Sequence, residues 1–339
     1  MRIDGSYGEG GGQILRSAVA LSALTGKEIE MVNIRSKRDK PGLAAQHLTG
    51  VRGVAELCGA EVEGASIGST RLRFRPGPVR GGSYELDVGT AGSITLVLQA
   101  CLLASLHADA PVELVIRGGT NVRMSPPVDY YENVFLPFLH HMGLEVEIEV
   151  IRRGFYPQGG GEVRATLTPP KALKPLVLEE RGRLEEVGGT CFTQNLPEHV
   201  AERMNHAVRK AFLGTNPRLQ NVRSEGPAAG AGTFLYARYG RTVLGADALG
   251  ERGVLAERVG EEAAKKMREE MEGGGTLDVH AADQLLAYMA LASGPSTFLV
   301  REVSLHLTTQ MWLLEQLLDA RFKISDDEVP RVEVLPNRT

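Results

Sequence analysis

The chain has 339 residues, 42% of them hydrophobic and 24% charged, which is the balance of an ordinary globular protein with a sizeable core. Its three cysteines form no C-x-x-C pair, so the sequence predicts neither a disulfide framework nor a zinc site, and it favours a reducing, cytoplasmic setting. No apolar run reaches the roughly 18 residues of a membrane span, and no secretory leader opens the chain, so we expect no membrane partner.

The net charge of −4 conceals an uneven distribution along the chain. Residues 1–80 carry 12 Lys and Arg against 8 Asp and Glu, so the remainder of the chain is acidic. Within this basic part, Arg35, Lys37, Arg38 and Lys40 lie close together after a predicted strand. The cluster predicts an electrostatic funnel for a polyanion, with a solvated charged loop as the alternative.

The first predicted elements are a strand at 2–4, a turn at 5–12 and an apolar helix at 13–24. The turn holds five glycines together with Glu9, and Arg16 follows in the helix. Glycines let backbone amides face a phosphate, a helix N-terminus favours anions, and a carboxylate such as Glu9 can bind a divalent cation. The run matches neither the P-loop nor the dinucleotide fingerprint. A simple glycine-rich connection is the alternative.

A repeated unit accounts for most of the sequence. It consists of a strand, a small-residue turn, an apolar helix, a strand, a second helix and two further strands. We expect an α/β (α+β) fold with three such βαβαββ units, packed about a pseudo-threefold axis, at about 1–80, 81–170 and 275–339. The third unit opens with an expected strand at 276–280. Residues 184–274 differ in character and predict a small inserted α/β domain, which leaves 1–183 plus 275–339 as the catalytic domain.

Several polar side chains stand out at predicted element boundaries. His306 lies where a strand meets a helix, and the helix dipole there favours a neutral imidazole that can attack phosphorus. Tyr130 follows a rigid Pro-Pro turn and offers an aromatic face for a base. The remaining candidates are phosphate-binding residues Arg35, Arg38, Lys40, Gln46 and His47, residue Pro126 for the base, and His280, Asp283 and Gln284 for ribose or a metal.

The segment 153–161 has more glycines than a hairpin needs, so we expect either close backbone approach or a wide hairpin with a bulge.

The motifs that carry a family resemblance are Gly8–Arg16, Lys40–Leu43, Gln46–Leu48, the segment 153–161 and His306-Leu307-x-Thr309. Through these motifs, the chain resembles the RNA 3'-terminal phosphate cyclase family over nearly its whole length. The resemblance implies units like the C-terminal domain of translation initiation factor three, plus a smaller inserted domain.

The resemblance also implies a reaction and a set of roles. His306 would take AMP from ATP, the RNA 3'-phosphate would accept that AMP, and the 2'-hydroxyl would close a 2',3'-cyclic phosphate. Glu9 would bind the divalent cation, Mg²⁺ or Mn²⁺, near the triphosphate. Phosphates of ATP or RNA would meet Arg16, Arg35, Arg38 and His47, while Gln99, Pro126 and Tyr130 would line the adenine pocket and Asp283 and Gln284 would lie near the ribose or His306.

Three other functions compete with this one. Cyclase-like proteins of ribosome assembly keep the fold without the histidine nucleophile, whereas His306 is present here. An enolpyruvyl transferase of the shikimate type would have similar repeats but different basic residues. A plain RNA-binding module would need no Glu9. The sequence leaves open whether the protein is a monomer or a homodimer.

Overall fold

The computed structural model describes residues 1–336 and has a mixed α/β architecture with four four-stranded sheets. Residues 337–339, which the predicted third unit includes, lie outside the described part. The first sheet has the strand order β1-β2-β4-β3. The strands of this sheet and the helices between them are β1 (Arg2–Asp4), α1 (Gly12–Thr25), β2 (Ile29–Val32), α2 (Ala45–Cys58), β3 (Glu61–Glu63) and β4 (Leu72–Arg75).

Helix α1 is the central helix of this region, because nearly every residue from Gln13 to Leu24 is buried. A helix that is apolar on all sides must be covered on all sides. Gly26 ends the helix in the left-handed conformation, with φ of 67°. Such a position favours glycine because it lacks a Cβ. The burial of α1 explains why its sequence lacks a polar face.

The second sheet has the order β5-β6-β8-β7. After the Pro-Pro turn, the chain forms two short α-helical pieces joined by a π-helical segment, Tyr131–Phe135. The region contains β5 (Gly82–Asp87), α3 (Ile94–Ala104), a 3₁₀ turn (Ser105–His107), β6 (Val112–Gly118), α4 (Val128–Tyr130), α5 (Leu136–His141), β7 (Glu145–Arg152) and β8 (Gly161–Thr168).

A short strand, β9 (Val177–Leu178), precedes a sheet with its own hydrophobic cluster. That cluster includes Val187, Met204, Leu235 and Met267, and two helices cover the sheet. The strand order is β11-β10-β12-β13. The elements are β10 (Leu184–Gln194), α6 (Glu198–Ala211), β11 (Arg218–Ser224), β12 (Gly230–Tyr239), β13 (Val243–Leu249) and α7 (Ala256–Glu272).

The last sheet contains strands from two distant parts of the chain, in the order β15-β16-β14-β9. Its other elements are α8 (Val279–Ala290), β14 (Ser296–Leu299), α9 (Leu305–Leu318), β15 (Arg321–Ile324) and β16 (Arg331–Leu335). β9 pairs parallel with β14, which pairs antiparallel with β16. The first, second and last sheets share this pattern of one parallel pair followed by two antiparallel pairs.

The expected strand at 276–280 is wrong. Asp278 is the N-cap of α8, and its side chain accepts hydrogen bonds from the amides of His280 and Ala281. An aspartate at this position satisfies amides that the helix leaves unpaired, so the helix begins at Val279. The parallel edge strand is instead supplied by β9, about a hundred residues earlier in the chain.

Among residues 1–336, no helix combines the length and apolar character that a bilayer crossing requires.

Candidate active site

His306 lies in the first turn of α9, where Ser304 caps the helix by accepting a hydrogen bond from the amide of Leu307. The imidazole is accessible to solvent. Its Nδ1 lies 2.9 Å from Oε1 of Gln13. Because an amide oxygen only accepts hydrogen bonds, Nδ1 carries the proton and Nε2 keeps its lone pair. The contact therefore selects the tautomer in which the Nε2 lone pair is free.

The surroundings of His306 favour its neutral form. Partial burial removes water from the imidazole and lowers the pKa of His306 below its ordinary value. The positive charges of Arg16, His280 and Arg38 lower this pKa further. The start of α9 adds the positive end of the helix dipole, which opposes protonation in the same sense. At neutral pH the Nε2 lone pair is therefore available for reaction.

The glycine-rich turn lies along the first turns of α9. The amide of Glu9 donates to Oγ1 of Thr309 at 3.1 Å, and the ring of Tyr7 stacks on Trp312 with centroids 4.0 Å apart. At Gly8, with φ of +53°, a Cβ would lie 2.1 Å from Thr309 Oγ1, so only glycine fits there. One layer deeper, Ser17 of α1 donates to Gln310 of α9 at 3.0 Å. These contacts hold the turn beside His306.

Arg16 and His47 converge on Gly12 at the start of α1. A Cβ on Gly12 would lie 2.1 Å from His47 Nε2 and 2.9 Å from Arg16 Nη1. His47 Nδ1 accepts a hydrogen bond from the amide of Ala44 at 3.2 Å, so the proton of the neutral ring is on Nε2, facing Gly12. Burial lowers the pKa of His47 to about 3, with Arg16 and Arg35 contributing. His47 is thus a neutral donor at this anion site.

Arg16 is the buried cation of the same cluster. Burial lowers its pKa to about 10, and the guanidinium stays charged at neutral pH. Its Nε donates to Oε1 of Gln99 at 2.9 Å, which fixes the direction of the remaining donors. A helix N-terminus, a guanidinium and an imidazole N–H in one place form a site suited to a phosphate.

The other basic residues form the outer part of the site. Arg38 makes an ion pair with the mostly buried carboxylate of Glu9, and Lys37 Nζ donates to the carbonyl of Gly8 at 3.2 Å. Arg35 donates to the carbonyl of Gly42 at 2.6 Å, so part of its guanidinium is engaged in holding its own loop. Lys40 is exposed. Gln46 is also engaged, because its Oε1 accepts from the amide of Ser93 at 2.8 Å.

Glu9 is the candidate metal ligand of this site. Within residues 1–336, no group of three or more His, Cys, Asp or Glu side chains has a metal-binding arrangement. A single carboxylate beside a phosphate site nevertheless suits Mg²⁺, which proteins often bind through one or two carboxylates together with substrate phosphates and water. The residues present therefore fit a cation that is shared with a polyphosphate, and they do not form a closed protein cage.

The residues expected around the nucleotide lie on α8, α3 and the turn before α4. Asp283 and Gln284 are buried, and His280 is exposed near the start of α8. Burial raises the pKa of Asp283 to about 7, against the opposing charges of His280 and Arg16. The Oε1 atom of Gln284 has no hydrogen-bond partner within the described chain. Pro126 is half-buried, and its carbonyl accepts from Thr95 at 2.7 Å.

The structure does not support Tyr130 as an aromatic face for a base. Its ring is only 1% exposed and packs edge-on against Phe234 of β12. Its hydroxyl donates to Oδ1 of Asp278 at 2.7 Å, so it holds the carboxylate that caps α8. The aromatic residue after the Pro-Pro turn is therefore a core residue, because the adjoining helix turns it toward the sheet that contains β12.

The segment 153–161 has a structural role that sequence reasoning missed. Arg153 donates to both carboxylate oxygens of Asp129, at 2.6 and 2.7 Å, and its guanidinium lies 4.8 Å from the ring centroid of Phe192. A Cβ on Gly154 would lie 2.3 Å from the amide nitrogen of Gly161. Both interpretations of this glycine-rich segment are found, because the backbones approach closely at Gly154 and the segment joins β7 to β8 in a wide antiparallel hairpin with a register shift between Val150 and Arg152.

Gln13 and Thr309 lie in the candidate site, and sequence reasoning gave neither of them a role there. Each lies inside a motif already quoted, Gln13 at the end of the glycine block and Thr309 three residues after His306. Each contacts the other motif across the molecule, through Gln13 to His306 and Thr309 to Glu9. The local sequence held no signal for this pairing, because the partners are about 300 residues apart.

Comparison with known proteins identifies the family of the chain. A family model described as RNA 3'-terminal phosphate cyclase matches residues 7–324. The chain is similar to proteins named RNA 3'-terminal phosphate cyclase from three organisms. It is 49% identical to that of Nitrosospira multiformis, over 96% of this chain and 93% of the relative. It is 48% identical to that of Methanopyrus kandleri, over 99% of both chains. It is 47% identical to that of Pyrobaculum neutrophilum, over 96% of this chain and 94% of the relative. The chain therefore belongs to the RNA 3'-terminal phosphate cyclase family of enzymes.

Proposed function

We propose that this protein uses ATP to convert an RNA 3'-terminal phosphate into a 2',3'-cyclic phosphate, with His306 as a covalent nucleophile. The observation that carries the proposal is the 2.9 Å contact between His306 Nδ1 and Gln13 Oε1. It leaves the Nε2 lone pair accessible beside a phosphate site made of Gly12, Arg16 and His47. Nucleophile and anion site are the two parts that nucleotidyl transfer requires.

The first step joins AMP to the protein. Nε2 of His306 attacks the α-phosphorus of ATP, a phosphorus–nitrogen bond forms, and the bond to the bridging oxygen breaks to release pyrophosphate. Arg16 and the Nε2–H of His47 offset the negative charge that develops on the phosphoryl oxygens. The pKa of about 3 keeps His47 neutral throughout the physiological range, so it acts as a hydrogen-bond donor without changing the net charge of the site.

Two further displacements complete the reaction. An oxygen of the RNA 3'-phosphate attacks the AMP phosphorus, the phosphorus–nitrogen bond breaks, and a 3'–5' pyrophosphate bridge to adenosine forms. The adjacent 2'-hydroxyl then attacks the 3'-phosphorus, its proton leaves, and AMP departs as the cyclic phosphate closes. The last step is favoured by proximity, because nucleophile and phosphorus belong to the same nucleotide.

We assign the divalent cation, Mg²⁺ or Mn²⁺, to Glu9. When bound, the cation would neutralise triphosphate charge and polarise a phosphoryl oxygen. Glu9 pairs with Arg38, so its carboxylate already lies beside a positive charge. Arg35 and Lys40 would add positive charge for the incoming RNA end. Long-range attraction of this kind raises the rate at which a polyanion binds.

We assign adenosine binding to a pocket that residues of α8, α3 and the turn before α4 would form. Gln284 has a buried oxygen without a partner, and such an atom is costly unless a ligand or water satisfies it. Asp283, Gln99, His280 and the half-buried Pro126 would complete this pocket.

We also propose that the three sheets of equal strand order are repeats of one βαβαββ unit about a pseudo-threefold axis. Residues 184–274, which have their own hydrophobic cluster, would be an inserted domain. Residues 1–183 and 275–339 would form the catalytic domain. The cytoplasmic location stays a prediction from the sequence, as does the choice between monomer and homodimer.

The test is a search for the covalent adenylate. The protein is incubated with α-labelled ATP and a divalent cation, and we expect a protein adduct that is labile in acid and stable in base. His306→Ala should lose the label, whereas His141→Ala, at an exposed and distant histidine, should keep it. An unlabelled wild-type protein would contradict the proposal and would favour a non-catalytic, cyclase-like role.

A further inference from the structure

A large cavity lies outside the His306 site. Its volume is about 1340 Å³. It lies between the region 184–274 and two loops of the main body, which here means residues 1–183 and 275–336. The main body contributes residues around Val122 and the loop Phe155–Gln158, and the other wall comes from α6, the loop after β11 and the segment after β13. Pockets for one small molecule are typically about 300–1000 Å³, so this cavity exceeds what a single nucleotide needs.

Close contacts hold the two walls in place. A Cβ on Gly230 would lie 2.2 Å from the ring of Phe155, and one on Gly160 would lie 2.6 Å from Pro227. Both glycines therefore allow the loops of the two regions to touch. Arg123 and Glu251 form an ion pair between the same two regions, with an N–O distance of 2.9 Å. The cavity is thus part of the packed arrangement and not a gap between loosely placed segments.

The lining combines apolar surface with positive charge. Phe155, Met204 and Pro227 contribute apolar atoms, and Tyr156 exposes 79% of its surface. The charged lining residues are Glu251 and three arginines, of which Arg123 pairs with Glu251 and Arg203 pairs with Glu257 outside the lining. Arg252 supplies the remaining positive charge of the lining. An aromatic ring for stacking beside a cationic side chain in a groove is a combination that binds single-stranded nucleic acid with little sequence preference.

The cavity lining and the phosphate site contain residues that are neighbours in the chain. Gln46 lines the cavity, and it precedes His47, whose Nε2 faces Gly12 in the anion cluster. A strand that ends in a phosphate at that cluster would therefore run from His47 past Gln46 into the cavity. We propose that the cavity binds the bases of the nucleotides that precede the RNA 3'-phosphate, with Tyr156 as the stacking surface. This inference rests on the proposed function, since it extends the RNA site of that reaction.

The test couples a protein change to a change in the RNA. Wild-type protein and Tyr156→Ala are titrated with a fluorescent RNA of about ten nucleotides that ends in a 3'-phosphate. The same RNA is then used with an abasic residue at each of the last few positions. For the wild type, we expect one position near the end where loss of the base weakens binding about tenfold. For Tyr156→Ala, intact RNA should bind about tenfold more weakly, and the abasic change at that position should have no further effect.

Tyr156→Phe keeps the ring and should bind like the wild type, and Leu213→Ala, exposed at the far end of α6, is a neutral control. Adenylation by ATP alone should be normal in all four proteins. An unlabelled wild type would count against the proposed function, separately from this inference. The inference is overturned if no abasic position weakens wild-type binding, or if the effects of Tyr156→Ala and of base removal are simply additive. Either result would leave the cavity to an occupant other than RNA.

Discussion

Replacement of Gln13 by glutamate would change the protonation of His306 with little change in shape. The native amide oxygen accepts from Nδ1 at 2.9 Å and carries no net charge. A carboxylate in the same place would stabilise the imidazolium, so the pKa of His306, which its surroundings now lower, would rise. Because only the neutral ring can attack ATP, the variant should need a higher pH to form the adenylate.

The size of this effect follows from the contact. With charge centres about 4 Å apart and an effective dielectric between that of a protein surface and that of water, the attraction is about 1–4 kcal/mol. The solvent accessibility of His306 favours the lower part of this range. One pH unit corresponds to about 1.4 kcal/mol, so the midpoint of the acidic limb should move upward by about one pH unit.

The assay is single-turnover adenylation of Gln13→Glu and wild type between about pH 5 and pH 9. We expect the variant to be slow near neutral pH and to approach the wild-type rate at the alkaline end. Gln220→Glu adds the same charge on an exposed strand and should leave the profile unchanged. A midpoint that stays in place or moves downward in Gln13→Glu would refute the role of Gln13 as the partner of Nδ1.

Three further predictions concern packing and charge. Arg153→Met leaves the buried Asp129 carboxylate unpaired and should lower the free energy of unfolding by about 3–5 kcal/mol in denaturant titrations, whereas Arg164→Met at an exposed pair should cost less than about 1 kcal/mol. Gly12→Ala should raise KM for ATP at least about tenfold, because its methyl group would displace His47 or Arg16 and one charge-assisted hydrogen bond would be lost. Gly50→Ala should not raise KM, because a Cβ there would make only an ordinary contact with Ala100 at 3.9 Å. Asp283→Asn should stabilise the protein by on the order of 2 kcal/mol at pH 8 and by little at pH 4, measured by thermal unfolding at both pH values. Folding raises the Asp283 pKa from 3.8 to about 7, so the burial cost appears as pH rises through that range. An equal effect at both pH values would contradict this reasoning.

Local sequence signals placed most helices and strands within a few residues. The helix at 13–24 is found as Gly12–Thr25, and the predicted strand at 2–4 has the bounds of the structure. Apolar periodicity and glycine turns are sufficient for such assignments, because both act over one or two turns of chain. The failure at 276–280 has the same local origin, since Asp278 is a helix cap that the alternation of neighbouring residues concealed.

The site was predicted as motifs but not as contacts. Sequence reasoning named His306, Arg16 and His47 as members of one site, and the structure places Arg16 and His47 at Gly12 and His306 at Gln13. It misjudged Tyr130, because the direction of a side chain depends on which sheet the helix packs against. It also missed the structural role of Arg153, whose partner Asp129 lies in another part of the same region.

The order of residues along the chain determined the elements, the glycine turn before α1, the histidine at the start of α9 and family membership. Tertiary structure alone decided which atom of His306 is free, because Gln13 reaches Nδ1 only after α1 and α9 pack together. It also decided that β9 completes the last sheet and that Tyr130 is buried. The physical reason is that tautomer, burial and strand partner depend on groups brought close in space, whereas local pattern reports only on neighbours in sequence.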